Sequence, residues 1–385
     1  MIDTLSAPRD LADLQTPADW VATARAVADR AAGRAAEDDQ PGAFPEATFD
    51  DLRDSGLLAA PLPVSEGGAG LGTDPARDHA LYLVLREIGR GSLPVGRVYE
   101  GHVNALALVD TYGTADQRAR YAADARHGHL FGVWNTEIPR DGVRLTPLPG
   151  GRARMEGAKT FASGLGFVTR AFANGAFPDG GWQMALVPLD RADVTEDASW
   201  WTAEGMRASR SGRCDFTGVE LDAHALVGEP GDYLREPHFT GGSVRFAAVQ
   251  LGGAVALVDA AVAHLQKLGR TDNETQRLRI GEASVALETG ALWLLGAARL
   301  AQTGSVEDVV TYAQAVRSAI EAVCLDVMRL VDRAVGARGL LPPSPVERIG
   351  RDLRLYLRQP APDAALAAVG QAAFETPGRA QGSDL

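Results

Sequence analysis

Cysteine is scarce in this chain of 385 residues, where only Cys214 and Cys324 occur and no CxxC pair is present. Frameworks held by disulfides need several paired cysteines, and zinc sites built on thiolates need closely spaced ones. Both architectures are therefore excluded, and we expect no metal site.

Positive charge is also in short supply. Lys and Arg number 38 against 50 Asp and Glu, so the formal net charge is -12 at pH 7. A surface that binds the phosphates of a nucleic acid needs a clustered basic excess. We therefore expect a small-molecule partner and no nucleic acid.

Long uninterrupted apolar runs are absent as well. The most apolar stretch, Phe246 to Leu265, contains Gln250, Asp259 and His264, which favours a buried bundle helix over a membrane span. The first residues lack the basic and apolar segments of a signal peptide. With 45% hydrophobic residues the chain can still bury a large core. We expect a cytoplasmic protein that does not engage a membrane.

Three patterns of apolar spacing follow one another along the chain. Residues 1–130 carry the apolar spacing of amphipathic helices. Residues 131–235 show short apolar runs between Gly, Pro and Asp turns, which predict a small antiparallel barrel or sandwich. Residues 236–385 return to helical periodicity, and long helices with short connectors predict an antiparallel bundle.

The stretch from Arg333 to Asp363 is the most informative part of the sequence. A helical segment ends in glycines and prolines between Gly336 and Pro345, and a charged helix is predicted from Val346 to Leu357. Pro360 and Pro362 then stop that helix. A helix, a glycine turn and a charged helix in sequence favour the binding of an anionic cofactor.

This stretch resembles the C-terminal signature of the acyl-CoA dehydrogenase family of flavoproteins. The matching features are the glycine turn with Gly336 and Gly339, the Pro345–Arg348 element and the Arg351-Asp352 pair. Weaker matches lie upstream, and their order covers nearly the whole chain.

The resemblance implies a fold and an assembly. The fold is acyl-CoA dehydrogenase-like, with an α-helical N-terminal domain at 1–130, a central β-barrel domain at 131–235 and a C-terminal four-helix bundle at 236–385. FAD is the implied cofactor. A homodimer or homotetramer packed through the bundle is also implied, and helices at 241–268 and 307–333 carry apolar surface for such packing.

Two strands of the β domain supply the flavin-ring contacts in this family. The stretch from Trp134 to Glu137 takes the first place and the stretch from Gly157 to Gly164 the second. The resemblance implies that Trp134 belongs to this site, that Thr136 and Ser163 offer hydroxyls and that Phe161 lies beside the ring. The alternative is that Phe161 is barrel core and Ser163 a turn residue.

The family's pyrophosphate-binding pieces are partly replaced. Its glycine-serine loop is Ile138 to Gly142 here, and its Gln at the glycine turn is Arg333. Arg270 and Arg333 could compensate, since a guanidinium pairs well with phosphate, and Gly336 and Gly339 keep the turn. The alternative for both arginines is a solvated surface charge.

Both of the family's positions for the catalytic base lack a carboxylate. Acyl-CoA dehydrogenation removes an α-proton while hydride leaves the β-carbon, so a carboxylate must reach the α-carbon. The usual glutamate falls on Pro360, and Val244 stands before Arg245, where a minority place it. The resemblance implies that Arg358 and Gln359 face the site and that Arg245 orients the substrate.

His102 lies in the segment that lines the family's substrate pocket. It is either a structural residue or a pocket group. A related flavin monooxygenase branch, resembling the dibenzothiophene monooxygenases, uses polar groups in this region, and His102 with Ser163 would support that chemistry.

Three functions stay open on this basis. The leading hypothesis is an FAD-dependent oxidoreductase acting on an acyl thioester, such as an acyl-CoA, or a related substrate. The alternatives are a flavin-dependent monooxygenase-like enzyme and a non-catalytic partner subunit of a heteromeric flavoprotein.

Overall fold

The N-terminal part of the chain is helical in the computed structural model, which describes residues 16–358 and 361–375. Side-chain caps fix two of the helix starts. Thr16 and Asp19 form a reciprocal capping box at the first helix, and Thr114 and Gln117 form another at the fifth, so the first unpaired amides find acceptors there. The five helices are α1 Pro17–Asp38, α2 Glu46–Asp54, α3 Asp78–Gly91, α4 Leu93–Tyr112 and α5 Ala115–Arg126.

Short strands follow the helices. They are β1 Phe131–Val133, β2 Arg144–Leu148, β3 Arg152–Glu156, β4 Ala158–Ala162, β5 Arg170–Phe172, β6 Gly175–Ala176, β7 Trp182–Pro188, β8 Thr195–Asp197, β9 Gly212–Asp215, β10 Glu220–Leu221 and β11 Leu226–Val227. One sheet has the order β1-β5-β7-β6-β2-β3-β10 with β11 beside β7, and a second has the order β4-β9-β8. The pairs β1–β5 and β2–β6 are parallel and the others antiparallel, which is close to the predicted arrangement.

The remaining helices form the C-terminal region. They are α6 His238–Lys267, α7 Glu274–Thr303, α8 Val306–Gly339, α9 Pro345–Tyr356 and α10 Pro362–Glu375. Helix α6 lies at the centre, packed against α3, α7, α8 and α9. The order of helices, strands and helices confirms the predicted fold class.

Most of the apolar surface of α6 is buried within one chain. By length and composition α6 would be able to cross a membrane, yet 67% of its most apolar window is buried inside the fold. The expectation that helices at 241–268 and 307–333 pack against a second subunit stays a prediction. Exposed apolar residues also lie on α7, where Leu278, Val285 and Leu292 are 62%, 69% and 58% exposed.

The signature region joins the C-terminal helices to the rest of the molecule. Gly336 takes φ 66° and ψ -176° and kinks the end of α8. On α9, Asp352 accepts a hydrogen bond from the Met206 amide at 2.6 Å, and Arg351 pairs with Asp39 at 2.5 Å. Helix α9 is thereby fixed to the β region and to the residue that follows α1.

Candidate functional site

A cleft of about 450 Å³ lies where α4, α6, α8 and α10 meet the end of β1. This volume falls within the range of small-molecule sites, roughly 300–1,000 Å³. Its polar lining includes Arg97, Glu100, Asn104, Asn135, Thr136, Tyr233, His238, Ser243, Arg245, Gln314 and Arg317, and its apolar lining includes Ala107, Leu108, Val133, Phe239, Phe246, Ala361, Ala364 and Ala365.

One wall of the cleft is a polar face of α4. Glu100 is 2% exposed, and its two oxygens accept hydrogen bonds from the Arg97 guanidinium and the Asn104 amide. Asn104 accepts in turn from Nη1 of Arg245 on α6 at 2.6 Å. Burial raises the pKa of Glu100, and the nearby Arg97 opposes that rise. Both oxygens of this carboxylate are therefore engaged in holding the wall.

Other lining residues of the cleft offer further hydrogen-bonding groups. The polar atoms of the Asn135 side chain and the Ser243 hydroxyl are buried. Ser243 has no hydrogen-bonding partner among the described residues, and Asn135 has the Tyr233 hydroxyl beside it. The Tyr233 hydroxyl lies near Asn135, which partly opposes the rise in the Tyr233 pKa caused by burial. Thr136 is exposed and also lines the cleft. Buried polar groups are rarely left unpaired, so these atoms mark a place for a ligand.

The donor set fits the ring of a flavin. A flavin ring carries donors and acceptors along one edge and needs matching groups from the protein. Asn135 supplies both a donor and an acceptor, while Thr136 and Ser243 supply hydroxyls on the same cleft. Gly101 leaves the α4 face open there, because a side-chain carbon at this position would meet nothing nearer than Arg97 at 3.8 Å.

The β region brings several predicted flavin contacts side by side. The indole nitrogen of Trp134 donates to the Ser163 carbonyl at 3.0 Å, and Thr136 pairs with Thr160 in a β-bridge. The Ser163 hydroxyl lies 2.8 Å from that of Ser211 and does not line the cleft. Of these predicted residues, Thr136 alone faces the cleft, and Trp134 is a buried support behind it.

Phe161 is held in an unusual position at the surface. Its φ is 53° and its side chain is 45% exposed, which excludes the interpretation as barrel core. Trp200 and Trp201 contact its ring edge-on, with centroids 5.1 Å and 5.7 Å away. A left-handed conformation is costly for a bulky residue and is found mainly at functional sites.

His102 lies on α4 but does not line the cleft. Its ring is fully buried, Nε2 donates to the Leu58 carbonyl at 2.7 Å, and Nδ1 accepts from the Phe131 amide at 3.1 Å. Burial lowers its pKa to about 4, so the ring is neutral and these partners assign the proton to Nε2. Both nitrogens have structural partners, which leaves none for the catalytic role expected from the sequence.

The predicted pyrophosphate contacts lie away from the cleft. Arg270 and Arg333 are exposed, and Gly336 and Gly339 form the kinked end of α8. None of the four lines the cleft.

The predicted base loop lies only partly within the described residues. Arg358 is 51% exposed and pairs with Glu321 of α8, so it does not face the cleft as expected. Gln359 and Pro360 lie outside the described residues. Arg245 lines the cleft, and its role as a substrate contact stays a prediction.

Sequence reasoning missed most of the α4 wall. Arg97, Glu100 and Asn104 stand in a segment whose other residues, apart from Tyr99 and His102, are apolar or small from Leu93 to Val109. Charged residues are seldom buried without a partner. Two opposite charges three residues apart in such a helix therefore indicate a buried ion pair, and this was the signal from which the wall could have been predicted.

Two family models match the chain. The model described as acyl-CoA dehydrogenase, N-terminal domain, matches residues 18–129, and the model described as acyl-CoA dehydrogenase, C-terminal domain, matches residues 244–357. Together they cover more than half of the chain, on both sides of the strands.

Individual proteins of two activities are similar to the chain. A dibenzothiophene monooxygenase from Rhodococcus erythropolis is 28% identical over 387 residues, covering 91% of this chain and 90% of that protein. The structure of TdsC from Paenibacillus sp. A11-2 with FMN and indole has a TM-score of 0.83 at 22% identity, covering 92% of this chain and 97% of that one. Butyryl-CoA dehydrogenase from Megasphaera elsdenii has a TM-score of 0.82 at 19% identity, covering 97% and 100%.

Proposed function

This chain belongs to the acyl-CoA dehydrogenase family of flavoprotein oxidoreductases, and we propose that it is a flavin-dependent monooxygenase that uses FMN and dioxygen on a small organic substrate. The leading hypothesis from the sequence was oxidation of an acyl thioester with FAD. Both the chemistry of the cleft and the similarity to a dibenzothiophene monooxygenase favour the alternative.

The main support is that the cleft offers no free carboxylate base. Among its described lining residues Glu100 is the only acid, and both of its oxygens are occupied. The family's usual glutamate is Pro360 in this sequence. Loss of a positioned base costs a factor of about 10²–10⁴ in a proton-abstraction step. Oxygen transfer to the lone pair of a sulfur or nitrogen breaks no C–H bond, so it needs no such base.

FMN replaces the expected FAD in this proposal for structural reasons. The family's pyrophosphate loop is replaced by Ile138 to Gly142, and Arg270 and Arg333 do not line the cleft. The similar TdsC structure holds FMN, which adds support.

The chain's own residues would position the reactants. When bound, reduced flavin supplies the two electrons with which dioxygen yields one oxygen atom to the substrate and one to water. Asn135, Thr136 and Ser243 would hydrogen-bond the flavin ring. Leu108 and Phe246 give the substrate an apolar surface in the same cleft.

Small residues line one side of the cleft. Ala364 and Ala365 belong to α10, and Ala361 stands just before that helix.

The test is turnover of dibenzothiophene, the substrate in the name of the similar Rhodococcus protein. Protein reconstituted with FMN is reduced without air and mixed with substrate and heavy-isotope dioxygen. We expect one labelled oxygen atom per product molecule, measured by mass spectrometry. Butyryl-CoA added to the oxidised protein without air should leave the flavin absorbance unchanged.

Two results would contradict the proposal. Rapid bleaching of the flavin by butyryl-CoA would establish dehydrogenation instead. A protein that binds neither FMN nor FAD would favour the non-catalytic subunit. Parallel titrations with FMN and FAD separate the choice of cofactor from the choice of reaction.

A further inference from the structure

Arg245 occupies a special place between two cavities. It lines the cleft and also a second cavity of about 250 Å³, which is bordered by α4 and α6 as well. Its Nη1 donates to Asn104 at 2.6 Å, and its Nη2 lies 3.5 Å from the Gly72 carbonyl. Both partners are neutral. No carboxylate within 16–358 or 361–375 forms an ion pair with this guanidinium, whereas Arg97 of the same cleft is paired with Glu100.

The second cavity contains an acid without a partner. Asp78 lines it at the start of α3 and has no hydrogen bond or ion pair within the described part of the chain. Arg245 lies near enough to favour the charged form of this carboxyl, yet burial outweighs it and raises the Asp78 pKa to about 6, with Asp74 adding to the rise. Asp78 therefore changes charge in the physiological range beside an unpaired guanidinium.

Few other ionisable groups face this cavity. Asp110 comes from α4, His238 from α6, Tyr82 from α3 and Tyr312 from α8. Burial raises the pKa of Asp110, Tyr82 and Tyr312 and lowers that of His238. The described residues of α7 that line the cavity are uncharged. Glu100 of the neighbouring cleft, whose pKa burial also raises, is coupled to Arg245 as well. Asp78, Asp110, His238 and Glu100 are thus the groups whose titration can alter the field at Arg245.

We propose that Arg245 binds an anionic group of the substrate, such as a carboxylate or sulfinate, and that the charge of Asp78 controls how tightly it does so. Calling this ligand the substrate rests on the proposed function. The binding itself is a property of the apoprotein and of the flavin-loaded protein alike.

The direction of the pH effect follows from the charges. Protonated Asp78 leaves the positive charge of Arg245 uncompensated, so an anion binds tightly. Ionised Asp78 competes with the anion for Arg245 and also repels it. Anion binding is therefore coupled to proton uptake, and affinity falls as the pH rises through the Asp78 pKa.

Calorimetric titration with benzoate tests this, with benzamide as the uncharged control of the same shape. Between about pH 5.5 and about pH 7.5 we expect benzoate affinity to fall about tenfold, the effect of roughly one pKa unit of coupling, while benzamide affinity stays constant. Asp78→Asn should hold benzoate affinity at the high value throughout. Arg245→Gln should lower it at least tenfold at low pH, and Arg245→Lys should give an intermediate value.

Matched variants separate Asp78 from its neighbours. Asp110→Asn also removes one carboxyl group from this cavity, as Asp78→Asn does. It should leave the pH dependence of benzoate binding intact. His238→Gln should leave this pH dependence intact too. If the pH dependence is lost in His238→Gln and persists in Asp78→Asn, the proposal is wrong. Because Asp78→Asn gains affinity, damage to the fold cannot imitate its expected result.

A flavin phosphate is the other source of an anion, and it gives a different pattern. If Arg245→Gln weakens FMN but not riboflavin and leaves benzoate unaffected, the guanidinium serves the cofactor and the proposal is wrong. The outcome of the benzoate titration does not depend on the outcome of the oxygenation assay. The benzoate result supports the anion site even without turnover, and a flat benzoate titration rejects it even where turnover occurs.

Discussion

Helices α4 and α7 depart from the usual distribution of polar and apolar residues in opposite ways. Helix α4 buries polar and charged groups, with Glu100 2% exposed and His102 fully buried. Helix α7 does the reverse and exposes Leu278, Val285 and Leu292, each seven residues from the next. A buried charge and an exposed apolar stripe are the informative exceptions in a folded chain.

The difference between the two helices separates a site from an interface. The charges of α4 are fixed by partners and border a cleft, so they belong to the chemistry of one chain. The stripe of α7 is apolar and mostly exposed at those three positions. We therefore propose that a second copy of this chain covers it, in the homodimer or homotetramer expected from the sequence.

The largest expected effect is on the α4 wall. Glu100→Leu leaves the half-buried Arg97 without its carboxylate, and breaking such a pair costs about 3–5 kcal/mol. Urea denaturation of the flavin-free protein measures this loss. Glu220→Leu, which breaks the exposed pairs with Arg152 and Arg154, is the control and should change stability little. If the Glu100 and Glu220 variants are equally stable, the buried ion pair of α4 contributes no more to stability than the exposed pairs.

A second variant tests whether His102 is a structural residue, in contrast to the residues of α4 that line the cleft. His102→Leu leaves the Leu58 carbonyl and the Phe131 amide unpaired, at about 1–3 kcal/mol for each buried group. Turnover per folded molecule should persist. Because the folded-state pKa of about 4 lies below the ordinary value, the unfolded chain takes up the proton first as the pH falls. The stability that His102 confers thus declines from about pH 6.5 to about pH 4, and the variant should lack that slope. A loss of turnover at unchanged stability would restore a catalytic role.

The smallest expected effect on folding belongs to α7. Val285→Glu places a charge on the exposed stripe, so we expect a lower molecular mass in sedimentation equilibrium with the stability of the single chain altered by no more than about 0.5 kcal/mol. Val306→Glu, at an exposed position outside the stripe, is the control and should leave the mass unchanged. A wild-type protein that sediments as a monomer at micromolar concentration would refute the interface.

Local patterns made the fold accessible from the sequence. Helical periodicity, glycine turns and the Pro345–Arg348 element depend on neighbours in the chain, so they could be read in order. The same patterns misplaced parts of the site. Arg358 and His102 occupy the expected sequence positions. Arg358, however, forms an ion pair with Glu321, and both ring nitrogens of His102 are hydrogen-bonded to backbone groups.

The cleft itself joins residues that no local pattern connects. Asn104 and Arg245 are 141 residues apart and meet at 2.6 Å, and Asp78, from a third element, lines the same cavity as Arg245. A sequence-based interpretation sees three ordinary surface charges or amides in these residues, because nothing in the neighbourhood of each one along the chain indicates its burial.

The amino-acid sequence by itself determined the family, the order of helices, strands and helices, and the lack of a glutamate at Pro360, since these depend on residue identity and short-range spacing. Only the tertiary structure decided which polar groups meet in the cleft and which charges stay unpaired. Packing sets the distance between side chains and the water around them, and those two quantities govern whether a carboxyl such as Asp78 is a solvated charge or a titrating neighbour of Arg245.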